Sequence, residues 1–366
     1  MSAFTSADCE MMARALQLAR RGIYSAHPNP RVGCVLAKGG QIVAEGWHQE
    51  TGEAHAEVNA LNAAGAAAQG STAYVTLEPC SHHGRTPPCA EALVAAGVSA
   101  VVVAMEDPNP QVAGAGLEIL RAAGIEVRSG LMQETARSLN EGFVSRVSRG
   151  RPFVRLKMAA SLDGGTAMAS GESQWITGEA ARRDVQRLRA SSGAILTGVT
   201  TVLADDPSLT VREESIATGD AQPIRVIVDS NLRTPATAKM LSLPGKTIIF
   251  CIDDSNAQAL AATGVMVIAV SAKAGRPDLQ AVLHELGALA VNDLLVESGP
   301  TLAGSLLMAG LVDELVIYQA PHMMGSESRG MATTPEWQEL EQRLALEIAD
   351  VRKIGNDLRI TARPKT

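Results

Sequence analysis

The chain predicts an α/β fold in two domains, on three observations. Its 366 residues exceed the roughly 100–200 of an ordinary domain. Short β-rich runs alternate with helix-length segments in both halves, the pattern of sheets covered by helices. At "SRVSRGRPFVRLK" a basic helical tail stops near Gly150, Pro152 cannot continue it, and a strand begins. The domains expected are therefore 1–149 and 150–366.

"MSAFTSADCEMMARALQLARRG" reads as an amphipathic helix with Asp8 near its start and Gly22 closing it, and it lacks the order of a signal peptide. "VGCVLAKGGQIVAEG" is a hairpin turning at Gly39-Gly40. "HAEVNALNAAGAAAQ" is helical, "TAYVTL" a strand, "CAEALVAAG" a helix, "AVVVAM" a strand, "GAGLEILRAAG" a helix and "IEVRSG" a strand. A single helix is expected over roughly 133–148. In the second half, strands are expected near 153–159, 194–197, 224–228, 247–252, 265–270, 293–297 and 314–319. A further strand-like stretch leads to Arg212, and "REESIATGDAQP" is a polar surface loop. No internal repeat or low-complexity segment interrupts the pattern.

Composition narrows the function classes. A net charge of −7 and 3% aromatic residues argue against nucleic acid, which favours basic surfaces and stacking rings. No apolar run approaches the roughly 18 residues of a membrane span. The five cysteines, Cys9, Cys34, Cys80, Cys89 and Cys251, are an odd and sparse set that favours a reducing cytoplasm over a disulfide framework. A homo-oligomer, dimer or larger, is a further expectation, with the apolar strand in "DELVIYQAP" as a surface for it.

Cys80 and Cys89 bracket "SHHGRTPP", a gap wider than metal-binding cysteine pairs usually have. They could be a loosened metal site, a disulfide or two unrelated thiols. "HAE" supplies His55 and Glu57, and the set matches His-x-Glu followed by Pro-Cys…Cys, the signature of hydrolytic zinc deaminases. That chemistry needs a Lewis acid with an open coordination position and a proton shuttle that is not a ligand. His55 and Glu57 can share a site only where the chain enters a helix, and Cys89 also opens a predicted helix. A structural zinc completed by His82 or His83 is the alternative.

"HPNPRVGCV", "GWHQETGEAHAEVNAL", "AYVTLEPCSHHGRTPPC" and "DPNPQVAGAG" resemble the deaminase half of the bifunctional riboflavin-biosynthesis deaminase/reductases, in which the wide gap between the cysteines is the rule. The resemblance implies a cytidine-deaminase-like α/β/α domain with a mixed sheet. It implies one zinc per chain on His55, Cys80 and Cys89, with Glu57 as proton shuttle. It also implies substrate contacts at Asn29, His48, His82 and Arg85. Side chains of these types suit a ring edge and a phosphate.

The second half holds "LLVESGPTLAGSLLMAGLVDELVIY", an apolar strand ending at Glu297, a Gly-Pro turn and a helix beginning near Thr301. Such a turn offers backbone N–H groups to a phosphate, though it is neither a dinucleotide fingerprint nor a Walker loop. Lys157, Ser161, Asp163, Ser173 and Trp175 lie in a Gly/Ser-rich segment. Arg182, Arg183 and Arg189 make a helix face basic, with Arg182 read as solvated. Asp205-Asp206-Pro207 ends a helix-like run.

"SLDG", "TAMASGESQWIT", "LTGVTTVLADDPSLTVR", "VDS" and "VESGPTLAGSLL" resemble the reductase half of the same family, which implies a dihydrofolate-reductase-like α/β domain. The resemblance places NADPH against Ala159, Trp175, Thr201, Asp205, Ser230 and the turn Gly299, Pro300, Thr301, Leu302, Ala303, Gly304, Ser305. It places a pyrimidine ribosyl phosphate against Ser173, Arg189, Leu209, Arg212 and Glu297. Gly165 departs from the family, which often has a basic residue there. Asp205 is the first candidate for the reductive proton, with Lys157 and Glu297 behind it. The rival readings are an RNA-editing zinc deaminase fused to a nucleotide-binding domain, and a non-catalytic sensor with structural zinc.

Overall fold

The computed structural model describes residues 4–81, 87–110, 112–216, 222–261 and 263–365, in two compact units, Met1–Gly150 and Arg151–Thr366. The first comprises α1 (Ser6–Ala19), β1 (Gly33–Lys38), β2 (Gln41–Trp47), α2 (Ala56–Ala64), β3 (Thr72–Val75), α3 (Cys89–Ala95), β4 (Ala100–Val103), α4 (Ala115–Ala122), β5 (Glu126–Ser129), α5 (Gln133–Leu139) and α6 (Glu141–Arg149). Its sheet runs β2-β1-β3-β4-β5, antiparallel around β1 and parallel from β3 to β5.

Two glycines set the layers of this unit. Gly33 pairs with Trp47 and Cys34 with Gly46, so Gly33 and Gly46 open onto opposite faces of the sheet. A Cβ on Gly33 would sit 2.0 Å from the Ala15 carbonyl of α1, and one on Gly46 would sit 2.3 Å from the Ala56 carbonyl of α2. Helices thus press on the bare backbone of both faces. The core between them is built from small apolar residues such as Ala15, Val35, Ala60 and Val101.

The single helix expected over 133–148 is instead two, divided at Asn140. The buried Asn140 amide accepts from the Arg31 N–H (2.8 Å) and donates to the Arg31 carbonyl (3.0 Å). This distant pairing holds φ at −121°, outside the helical range.

The second unit comprises β6 (Phe153–Ser161), β7 (Gly165–Ala167), α7 (Glu179–Ala190), β8 (Ala194–Gly198), α8 (Val199–Asp205), β9 (Ile224–Val228), β10 (Thr247–Cys251), α9 (Gln258–Ala261), β11 (Met266–Ala269), β12 (Ala272–Lys273), β13 (Arg276–Pro277), α10 (Leu279–Ala288), β14 (Asp293–Glu297), α11 (Pro300–Met308), β15 (Glu314–Ala320), β16 (Arg329–Gly330), β17 (Leu346–Ile354) and β18 (Asp357–Pro364). The main sheet runs β11-β10-β9-β8-β14-β6-β15-β18-β17, parallel except where β18 joins β15 and β17. Continuous apolar runs such as "TIIFC" and "DLLVE" suit strands covered on both faces. One face packs on α10 and α11 through Leu286 and Leu306, the other on α7 and α8 through Leu188 and Val202.

Two expectations in this unit are corrected. No strand forms between Pro207 and Arg212, because side chains take its backbone groups: Gln222 accepts from Val211 N–H (2.8 Å), Gln186 from Arg212 N–H (2.9 Å), and Arg189 donates to the Thr210 carbonyl (3.0 Å). The strand of "DELVIYQAP" is interior, with β6 on one side and β18 on the other, so it offers no edge to a second copy.

Candidate active sites

His55 caps the N-terminus of α2 with extended backbone (φ −70°, ψ 166°), which lets its ring and the Glu57 side chain in the first turn turn toward one place. Cys80 follows β3, and Cys89 is the first residue of α3. His55 Nδ1 lies 3.3 Å from Cys89 Sγ and 3.7 Å from Cys80 Sγ, and the three donor atoms lie within 4.8 Å of one another. A tetrahedral zinc with ordinary bond lengths would put its nitrogen and sulfur ligands about 3.6 Å apart. The donor set therefore fits zinc with one position left open among the described residues. All five cysteines are free thiols, which removes the disulfide reading.

The charges agree with a metal-ready pocket. Hydrogen bonds from the Cys89 thiol and from His55 pull the Cys80 thiol down to about 4 against the cost of burial. The same Cys80 contact, with burial, pushes Cys89 up. Burial pushes the Glu57 carboxyl up to about 7. A dication beside it would draw that value down again.

Next to the triad, the His48 ring meets the His55 ring edge-on at 5.4 Å. Asn29 Nδ2 donates to His48 Nε2 (3.0 Å) and His48 Nδ1 donates to the Ala54 carbonyl (3.3 Å), which fixes a neutral ring; burial lowers its pKa. His82 and Arg85, and the alternative ligand His83, lie outside the described residues.

In the second unit, a cleft of about 1400 Å³ opens at the carboxyl ends of β8, β9 and β14, where open parallel sheets bind ligands. Lys157, Ala159, Ser173, Trp175, Arg189, Thr201, Asp205, Leu209, Arg212, Ser230, Glu297, Gly299, Pro300, Thr301, Leu302 and Ser305 line it. Ala303 and Gly304 do not. Ala303 is buried in the core, and a Cβ on Gly304 would sit 1.9 Å from the Thr333 carbonyl.

The cleft floor is an ion network. Arg189 forks onto Glu297 (2.7 and 3.0 Å), so two expected substrate contacts are partners of each other. Burial pushes Glu297 up, but the charges of Arg189, Lys157 and Arg212 outweigh it and hold the carboxyl low. Burial lowers Lys157. Asp205 is exposed at the end of α8. Leu209 keeps its side chain in the core at φ +46°, leaving its backbone to face the cleft.

Sequence reasoning missed two residues here. The buried Ser298 hydroxyl, on the cleft wall at the Gly-Pro turn, has no hydrogen-bond partner among the described residues. An orphaned polar atom beside the N-terminus of α11 fits a phosphate-bearing cofactor. Arg182, read as solvated, stacks on the exposed Trp175 ring at 4.8 Å and donates to the Thr177 carbonyl (2.7 Å). Gly165, the family departure, faces Ser328, whose Oγ would lie 2.6 Å from a Cβ there, so this fold leaves no room for a longer side chain without a shift.

These sites and sheets define a zinc-binding, cytidine-deaminase-like domain followed by an α/β reductase domain. Residues 5–105 match the family model "Cytidine and deoxycytidylate deaminase zinc-binding region" and residues 152–360 match "RibD C-terminal domain". The chain is 52% identical to the riboflavin biosynthesis protein RibD of Escherichia coli, covering 95% of this chain and 96% of the relative. It is 46% identical to that of Haemophilus influenzae over the full length of both. Among solved structures, Acinetobacter baumannii RibD superposes with a TM-score of 0.93 at 47% identity, covering 98% of this chain and 99% of the other. A Thermotoga maritima diaminohydroxyphosphoribosylaminopyrimidine deaminase/5-amino-6-(5-phosphoribosylamino)uracil reductase gives 0.87 at 32% identity with the same coverage.

The chain belongs to the RibD family: it is a bifunctional deaminase and reductase of riboflavin biosynthesis. Full-length agreement across both halves disfavours an RNA-editing fusion. No described helix is long and apolar enough to cross a membrane.

Proposed function

We propose that the first unit removes the ring amino group of 2,5-diamino-6-ribosylamino-4(3H)-pyrimidinone 5′-phosphate, and that the second reduces the ribosyl group of the resulting 5-amino-6-(5-phosphoribosylamino)uracil to ribityl with NADPH. The observation that carries the first step is the convergence of His55, Cys80 and Cys89 beside the buried Glu57. Zinc held by those three would supply Lewis acidity to water. Glu57, buried beside the three donors and not one of them, is the group that would take a proton from water and return one to the ring or its leaving amine. Asn29 and the neutral His48 hold the ring edge. His82 and Arg85 belong to the same reading through the family resemblance.

For the reductive step, NADPH supplies the hydride, and the chain must hold it and place a proton. The turn Ser298–Thr301 with α11 suits the cofactor phosphates, and Arg212 suits the substrate phosphate. Among the three proton candidates we favour Lys157, whose pKa burial lowers, over Asp205 at the exposed end of α8 and over Glu297, which Arg189 engages. We also propose a cytoplasmic homo-oligomer, dimer or larger. The open edge strand β17, with Ile348 and Val351 exposed, offers a surface for it. A single monomeric species in sedimentation would overturn that part.

The test of the deaminase assignment is Glu57→Gln. The variant should keep about one zinc per chain and lose deamination by roughly 10²–10⁴-fold. Turnover at the wild-type rate would remove Glu57 from the mechanism.

A further inference from the structure

Glu78 stands two residues before Cys80, and only 6% of it is exposed. Its carboxylate accepts three backbone N–H groups: Asp107 (3.0 Å) and Gly114 (3.0 Å) on Oε2, and Gly116 (2.9 Å) on Oε1. Its own N–H donates to the Met105 carbonyl (3.0 Å). The three donors belong to "DPNPQVAGAG", a motif that contributes no metal ligand and does not line the reductase cleft.

The backbone of that motif is shaped for the contact. Gly114 adopts φ +81°, which favours glycine, and places its N–H on the carboxylate. A Cβ on Gly116 would lie 2.0 Å from the Pro79 carbonyl, so the start of α4 rests directly on the residue before Cys80. Helix α4 in turn packs against α3, whose first residue is Cys89. One buried carboxyl group therefore joins the segment carrying Cys80 to the helix pair that presents Cys89. Three backbone hydrogen bonds on one buried side chain make the joint stiff.

We propose that Glu78 is a positioning residue of the metal centre: by clamping the backbone at Asp107, Gly114 and Gly116 it sets the spacing of the two thiols, and through it zinc affinity and deaminase turnover. The proposal rests on the zinc reading above. Groups that support metal ligands typically contribute about 10–100-fold in metal affinity. Coupling is reciprocal, so zinc must tighten the clamp by the same factor by which the clamp tightens zinc.

The experiment has two arms on the full-length chain. Zinc affinity is measured by chelator competition for wild type and Glu78→Gln, with reductase activity on the same samples. Amide hydrogen exchange at Asp107, Gly114 and Gly116 is measured in wild type with and without zinc. We expect Glu78→Gln to lose roughly 10–100-fold in zinc affinity with reduction unchanged, and zinc to slow the three amides by a comparable factor. A variant that only melts earlier, with wild-type zinc affinity, would overturn the proposal. Zinc-independent exchange at the three amides would do the same, and this arm decides the matter should the variant not fold. A wild-type protein that binds no zinc would instead refute the zinc reading itself.

Discussion

At the scale of single residues, the chain spends buried charge where chemistry needs it. Lys157 lines the cleft opposite Glu297 on the neighbouring strand, and burial lowers its pKa, which makes the ammonium a readier proton donor. If Lys157 protonates the opening sugar, the reductase rate falls as pH rises, and it falls below the ordinary lysine range. Lys157→Met should remove that limb of the profile along with most of kcat; a Met variant retaining both would return the role to Asp205. Arg212→Ala should raise KM for the phosphorylated substrate about 10-fold or more, the loss of a charge-assisted contact. An unchanged KM would take Arg212 out of the site. The convergence of His55, Cys80 and Cys89 beside Glu57 was legible in the sequence because His-x-Glu and Pro-Cys…Cys fix residue type and order. The Arg189–Glu297 pair was not, since nothing in either segment announces that two residues 108 apart neutralise each other.

At the scale of elements, close backbone contacts position the helices of the candidate site. A Cβ on Gly46 would lie 2.3 Å from the Ala56 carbonyl and 2.5 Å from the Ala60 N, both on α2, which carries Glu57. Gly46→Ala should cost about 1–3 kcal/mol in thermal or denaturant unfolding and reduce deamination while sparing reduction. Unaltered stability would mean that α2 rides freely on the sheet. In α1, burial pushes Asp8 up, but hydrogen bonds from Arg128 (3.1 and 3.2 Å), Thr5 and Tyr74 (2.8 Å) outweigh it and hold the carboxyl far below its usual range. A carboxyl lowered by folding adds stability above its unfolded value near 3.9 and loses it as pH falls. Asp8→Asn should therefore cost about 2–3 kcal/mol at pH 7 and flatten the acid limb of the melting curve. A variant with the wild-type acid limb would contradict this. The order of strands and helices was readable from apolar runs and glycine stops. The break at Asn140 was not, because its cause is Arg31, far away in sequence. The hairpin of β17 and β18 did leave a signal, Gly355-Asn356 between two alternating runs, but β17 is exposed along almost its whole length, so no buried face sets it apart from a surface loop.

At the scale of the whole molecule, two units carry two separate sites: the Cys80–Cys89–His55 cluster in the first, and a cleft with the Gly-Pro turn and an ion network in the second. The family resemblance reached both because each half keeps its motifs, while the Ser298 hydroxyl, without a hydrogen-bond partner among the described residues, emerges only when the turn is folded. The separation gives the account its most direct test. Zinc is stripped from the full-length protein and titrated back, while deamination of the diaminopyrimidine and NADPH oxidation on the already deaminated intermediate are followed together. Deamination should vanish and return in proportion to zinc, complete at about one equivalent, with NADPH oxidation constant throughout. Deamination that persists in stripped protein would contradict it.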